Sequence, residues 1–177
     1  PRIEAVSLLL PVIDALHTAH GAGIVHRDVK PENVFLASVG GRTQPKVLDF
    51  GIALEGVAGV RRTTDGAVLG SPAYMSPEQA CGDDEIDASS DVWALCIVLY
   101  ELVTGVSPFE RDNYNATLRA IVDEEAPSLT SRAASDELLA SIVARGLEKD
   151  KQRRFASAEE LGLALAQWLW SHGITED

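Results

Sequence analysis

Between Asp87 and Thr104 the chain is apolar on nearly every helical face, with Val92, Trp93, Leu95, Cys96, Val98, Leu99, Leu102 and Val103 leaving little room for a polar stripe. A helix of this kind cannot rest on a surface. It has to be enclosed, so the fold must place other elements around it. The sequence supplies them. Ile3, Val6, Leu9, Leu10, Ile13 and Leu16 recur at helical spacing over Ile3–His20, and Tyr114–Asp123, Ser135–Leu147 and Ser157–Trp170 read as three more helices. Ser135 and Ser157 are the expected N-caps, each followed by acids in the first turn, Asp136-Glu137 and Glu159-Glu160, where the helix dipole favours negative charge. Pro11 falls inside the first helix and is expected to kink it, at a cost of about 3 kcal/mol. Gly21 and Gly23 then stop that helix, and Gly105 stops the central one. His17 and His20 have the spacing of a metal pair but no third ligand nearby, and are read as one helix face. Asp91, near the start of the central helix, would be costly to bury without partners.

The polar stretch His26-Arg27-Asp28-Val29-Lys30-Pro31-Glu32-Asn33 lies between apolar Ile24-Val25 and Val34-Phe35-Leu36. It reads as a tight loop between two short strands, stiffened by Pro31. A carboxylate, a lysine and an asparagine at short fixed intervals are the groups that phosphoryl transfer uses: one to orient a hydroxyl, one to steady the phosphoryl group, one to help hold a metal ion. A second carboxylate, Asp49, follows the strand-like Lys46-Val47-Leu48, where a phosphate-bound Mg²⁺ would be ligated. The connection between the strands is expected over Ser38–Pro45. Asp49–Glu78 has little periodicity, many glycines and Arg61-Arg62-Thr63-Thr64 in its middle, and closes with Gly70-Ser71-Pro72-Ala73-Tyr74-Met75-Ser76-Pro77-Glu78. A loop of that length in a compact domain is expected to be functional or disordered.

With Asn33 at its offset from Asp28, Asp49-Phe50-Gly51 downstream and the Gly70–Glu78 run beyond, the chain resembles the C-terminal lobe of a serine/threonine protein kinase. It is most similar to the eukaryotic-like (Hanks-type) kinases of bacteria, from about Ile3 to about Trp170. The resemblance implies a mainly α fold with short β-hairpins: residues 1–171 as a partial catalytic domain and 172–177 as a frayed tail. It implies that Asp28 aligns the substrate hydroxyl, that Lys30 neutralises the transferring phosphate of ATP, and that Asn33 and Asp49 hold two Mg²⁺ ions. Ser71 stands where the family usually has threonine, and its hydroxyl would bridge Asp28 and Lys30. Lys30 itself implies Ser/Thr rather than Tyr specificity. Arg27 would pair with a phosphorylated Thr63 or Thr64. Glu78 would pair with Arg154, and Asp91 would accept backbone hydrogen bonds from the catalytic loop. Cys96 and Lys151 replace a common glycine and a common proline.

The Gly70–Glu78 segment also separates this resemblance from small-molecule phosphotransferases. A net charge of −12 argues against a nucleic-acid groove. No apolar run approaches a membrane span, and two cysteines, Cys81 and Cys96, form no disulfide framework, so a reducing cytoplasmic setting is expected. The sequence contains no glycine-rich loop followed by a strand lysine, begins with Pro1, and has Met75 as its only methionine. It is therefore expected to be a piece of a longer kinase whose N-terminal lobe lies upstream, nearly inactive alone and acting on protein substrates when complete. The alternative is a non-catalytic kinase-lobe interaction module.

Overall fold

The structure, a computed structural model, describes residues 2–50, 72–132 and 136–174. Its elements in chain order are α1 (Arg2–Gly21), β1 (Val34–Val39), β2 (Arg42–Val47), α2 (Pro77–Cys81), α3 (Ala88–Thr104), α4 (Tyr114–Asp123), α5 (Leu129–Arg132), α6 (Glu137–Gly146) and α7 (Ala158–Ser171). Single 3-10 turns sit at Pro31–Asn33, Pro72–Tyr74 and Lys151–Arg153.

α3 is the axis. Every residue from Ser90 to Tyr100 is buried, and α1, α5, α6 and α7 pack around it. Asp87 caps its start by accepting the Ser89 N–H at 2.9 Å, and Gly105, at φ +78°, takes the left-handed C-terminal position that side chains avoid. Trp93 stacks on Phe109 with ring centroids 5.4 Å apart. The Cys96 thiol is fully buried, which pushes its pKa up to about 12. It fills the space over Gly146, where a Cβ would overlap its sulfur. The larger residue on α3 is thus matched by the absence of a side chain on α6.

α1 runs through Pro11 rather than breaking there. Pro11 and Ser7, whose carbonyl loses its helical partner, are both exposed, which leaves that carbonyl open to solvent. The buried face comprises Ala5, Val6, Leu9, Val12, Ile13 and Leu16; Ile3 stays exposed.

The hairpin differs from expectation. β1 and β2 pair from Val34↔Val47 to Val39↔Arg42, joined by Gly40-Gly41 alone, both at positive φ (60° and 80°). That is the two-residue turn whose twist suits antiparallel strands. Pro45 lies within β2 opposite Leu36; each strand of a two-stranded ladder keeps a free edge where a missing N–H is tolerated. Ile24-Val25, expected as a strand, is irregular. α6 is capped by Asp136, which accepts the Leu139 N–H at 2.8 Å, and not by Ser135, which lies outside the described residues. α7 is capped by Ser157. At its far end Ile174 N donates to Leu169 O at 3.1 Å and the His172 ring lies 4.3 Å from that of Trp168; the rest of the expected frayed tail, 175–177, lies outside the described residues.

Candidate active site

The loop before β1 hangs from the start of α3. Asp91 is 1% exposed. Its Oδ2 accepts the His26 N–H at 2.8 Å and contacts His20 Nε2 at 2.7 Å, and its Oδ1 accepts the Arg27 N–H at 2.8 Å. A buried carboxylate is stable only with such partners, and here three donors from two segments converge on one side chain. His26, fully buried, joins this loop to the segment after β2. Its Nδ1 accepts the Asp28 N–H at 3.3 Å and its Nε2–H donates to Leu48 O at 3.0 Å, partners that fix its tautomer. Its ring lies 5.0 Å from that of Phe50.

Held in this way, the backbone turns sharply. Arg27 and Asp49 are the non-glycine residues with positive φ, at 66° and 50°, among the described residues. Such strain persists only where surroundings enforce it. At Arg27 both sides of the residue are clamped: its N–H by Asp91, its carbonyl by Gln79 Nε2 at 2.8 Å.

The turn presents Asp28 to solvent. Lys30 Nζ donates to both Asp28 carboxylate oxygens, at 2.7 and 3.0 Å. Asn33 Nδ2 donates to Asp28 O at 2.7 Å and to Asp28 Oδ2 at 3.0 Å. With its NH₂ so engaged, the Asn33 oxygen is left as an acceptor. The Leu48 N–H bonds to Asn33 O at 2.8 Å, which ties the segment carrying Asp49 to the end of this loop. The structure thus brings Asp28, Lys30 and Asn33 together in one hydrogen-bonded cluster, and Asp49, exposed, follows Leu48 in the adjoining segment. Ser71, Thr63 and Thr64 lie outside the described residues.

Behind this face, Arg154 and Glu78 form a buried bidentate pair, with Nη1–Oε1 and Nη2–Oε2 both at 2.8 Å. Ser90 Oγ donates to Glu78 Oε1 at 2.6 Å and accepts from Ser76 Oγ at 3.1 Å. Burial alone would raise the Glu78 pKa; the hydrogen bonds from Arg154 and Ser90 outweigh it and hold the carboxyl below its ordinary value. Ser76 and Gln79 complete a capping box on α2.

Residues 2–164 match the family described as "Protein kinase domain". The chain belongs to the protein kinase family. Among its bacterial relatives, it is 41% identical over 165 residues to serine/threonine-protein kinase pkn3 of Myxococcus xanthus, covering 88% of this chain and 30% of that protein. It is 37% identical over 163 residues to serine/threonine-protein kinase PknB of Mycobacterium leprae, covering 91% of this chain and 25% of that protein. The chain thus spans about a quarter to a third of the length of these curated relatives, and the part of the kinase domain it resembles is the C-terminal lobe, of the Hanks type found in bacteria.

Three side chains that hold this loop and its surroundings in place are not singled out by the sequence reading. His20 was read as an ordinary helix-face residue, yet it reaches Asp91 across 71 positions. Gln79 and Ser90 likewise connect segments far apart in the chain, 52 positions for Gln79–Arg27 and 12 for Ser90–Glu78. No local periodicity carries such pairings; the only signal was the cost of burying Asp91 and Glu78 alone.

Proposed function

We propose that the chain carries the acceptor-side half of the catalytic centre of an ATP-dependent serine/threonine protein kinase, which transfers the γ-phosphate of ATP to Ser or Thr hydroxyls of proteins. The observation that supports it most is the convergence of the Asp28 carboxylate, the Lys30 ammonium and the Asn33 amide within hydrogen-bond reach on an exposed face. Asp28 would accept the hydrogen bond of the substrate hydroxyl and hold it in line with the phosphorus. A carboxylate is too weak a base to ionise an alcohol early, so orientation is its main contribution. Lys30 would shift from Asp28 to the transferring phosphoryl group and offset its charge.

The residues fit Mg²⁺. The Asn33 amide oxygen and the Asp49 carboxylate are hard oxygen donors, and Mg²⁺ is ordinarily held by one or two such groups with phosphates and water completing its shell. Bound there, Mg²⁺ would offset charge on the ATP phosphates. The roof over the nucleotide, with its glycine-rich loop and strand lysine, would come from an N-terminal lobe elsewhere in the protein. Arg27 Nε is buried without a hydrogen-bond partner among the described residues, which supports its assignment to a phosphate on Thr63 or Thr64. Ser71 would bridge Asp28 and Lys30. Both cysteines are free, and no described helix is long and apolar enough to cross a membrane; a cytoplasmic setting is part of the proposal.

A second reading, a non-catalytic interaction module, draws on apolar side chains exposed near the same face: Ile24, Phe35, Leu36, Val39 and Leu48, each more than two-fifths exposed. Transfer of label from γ-labelled ATP to a basic Ser/Thr peptide by the full protein separates the two. Asp28→Asn should lower turnover about 10²–10⁴-fold with nucleotide affinity retained. Turnover unchanged by that substitution would remove Asp28 from the chemistry, and no turnover in the unmodified full protein would favour the module.

A further inference from the structure

One peptide unit joins Arg27 to Asp28, and both of its polar atoms are bonded. The Arg27 carbonyl accepts from Gln79 Nε2 at 2.8 Å, and the Asp28 N–H donates to His26 Nδ1 at 3.3 Å. Asp91 acts one unit earlier, on the Arg27 N–H. Arg27 stands at φ +66°, a conformation that side chains seldom adopt. Without the bond to Gln79, the unit that leads into Asp28 would be held only by the longer bond to His26, a residue of the same loop.

The Gln79 amide works in one orientation. Its Oε1 accepts the Ser76 N–H at 3.1 Å and the Ser76 O–H at 3.2 Å. Exchanging its oxygen and nitrogen would set donor against donor at the Ser76 N–H and acceptor against acceptor at the Arg27 carbonyl. Ser76 is fully buried and caps α2. One side chain therefore does two separable things. Its oxygen completes the cap of α2, for which a glutamate serves as well. Its NH₂ holds the peptide unit that carries Asp28, and an ionised glutamate has no donor to offer there.

We propose that Gln79 is a positioning residue for phosphoryl transfer: its side-chain NH₂ sets the Arg27–Asp28 peptide unit and, through it, the direction of the Asp28 carboxylate. The proposal rests on the kinase reading of Asp28. α2 takes up the end of the Gly70–Glu78 run, so this bond ties the aim of Asp28 to the placement of that run. Gln79 acts through Arg27 and touches no reacting atom.

The test is Gln79→Glu in the full protein, with Gln79→Met beside it. Glutamate keeps the oxygen that Ser76 bonds and sets a carboxylate oxygen against the Arg27 carbonyl. Methionine fills similar space without donor or acceptor, and either variant decides the matter should the other fail to fold. Both should lower kcat about 10–100-fold while the KM for ATP stays within about twofold, because aim is lost and nucleotide contacts are not. Hydrogen exchange at the Asp28 amide, read by mass spectrometry of peptides covering the loop, should quicken about tenfold or more. Unchanged kcat would overturn the proposal, and so would a fall in kcat/KM carried by the KM for ATP alone, or Asp28 exchange at the unmodified rate. Asp28→Asn in parallel separates the two readings. If it abolishes turnover and the Gln79 variants do not lower it, the kinase reading stands and this proposal falls. If Asp28→Asn leaves turnover intact, the role of Asp28 falls and this proposal with it.

Discussion

Arg154→Ala should be among the most destabilising single substitutions in this lobe, and the geometry sets its size. Arg154 is 2% exposed. Its guanidinium donates to both Glu78 oxygens at 2.8 Å, to Glu148 O at 2.8 Å, to Lys149 O at 3.1 Å and to Ser89 O at 3.2 Å. Truncation leaves a carboxylate that is 7% exposed without its counter-charge, and strands three carbonyls. Breaking a buried pair from one side costs about 3–5 kcal/mol. At about 2–4 °C per kcal/mol for a domain of this size, the melting temperature should fall by roughly 10 °C. Replacing both partners together, Glu78→Leu with Arg154→Met, should cost much less than the sum of the single changes, because no charge is left buried. The pH dependence gives a second readout. The folded Glu78 carboxyl titrates below its unfolded value, so its contribution is complete above about pH 4.3 and is lost as pH falls through the folded value. In Arg154→Ala that acid-side loss should disappear. Equilibrium urea unfolding with circular dichroism measures each quantity. A penalty under about 1 kcal/mol for Arg154→Ala would refute the reasoning, since only exposed pairs are worth so little.

Gly146→Ala should cost about 1–3 kcal/mol by urea unfolding, since the new Cβ would overlap Cys96 Sγ and lie 3.1 Å from Cys96 Cβ. Cys96→Gly in the same chain should relieve most of that cost, and a penalty that persists would mean the clash is elsewhere. Asp91→Asn turns an NH₂ toward the donors that now bond its carboxylate. It should cost about 3 kcal/mol in the same measurement, with slowed phosphate transfer by the full protein; normal stability would show that Asp91 does not anchor the loop.

What the sequence disclosed followed from whether the signal was local. α3 was legible because burial on all sides leaves an unbroken apolar run, and α1 because one buried face repeats at helical spacing. The hairpin was misplaced because Pro45 reads as a loop residue. The Gly40-Gly41 pair, which sets the turn, was submerged in a longer polar stretch. At α6, Ser135 and Asp136 are both good caps, and sequence alone cannot tell which residue leaves the helical conformation. α2 and α5 span too few residues to show a period. Asp28, Lys30 and Asn33 are legible as a motif because they are crowded into six residues, and Asp49 because it closes the strand-like run sixteen residues on. The side chains that hold them were not, because His20, Gln79 and Ser90 act on segments distant in the chain.

Those distant contacts form a closed circuit, and the circuit explains how an exposed loop can hold a strained backbone. Asp91 bonds the Arg27 N–H, and Gln79 of α2 bonds the Arg27 carbonyl. Ser90, the neighbour of Asp91 on α3, returns to α2 through Glu78 and Ser76. Arg154 locks Glu78 from behind. The positive φ at Arg27 costs about 1–3 kcal/mol, less than the charge-assisted and buried hydrogen bonds on its two sides supply together. The direction in which Asp28 points is therefore set by the buried start of α3 and not by the loop's own preferences. On the proposed reading, a side chain that meets a hydroxyl from another molecule stays in water while its position is determined in the core.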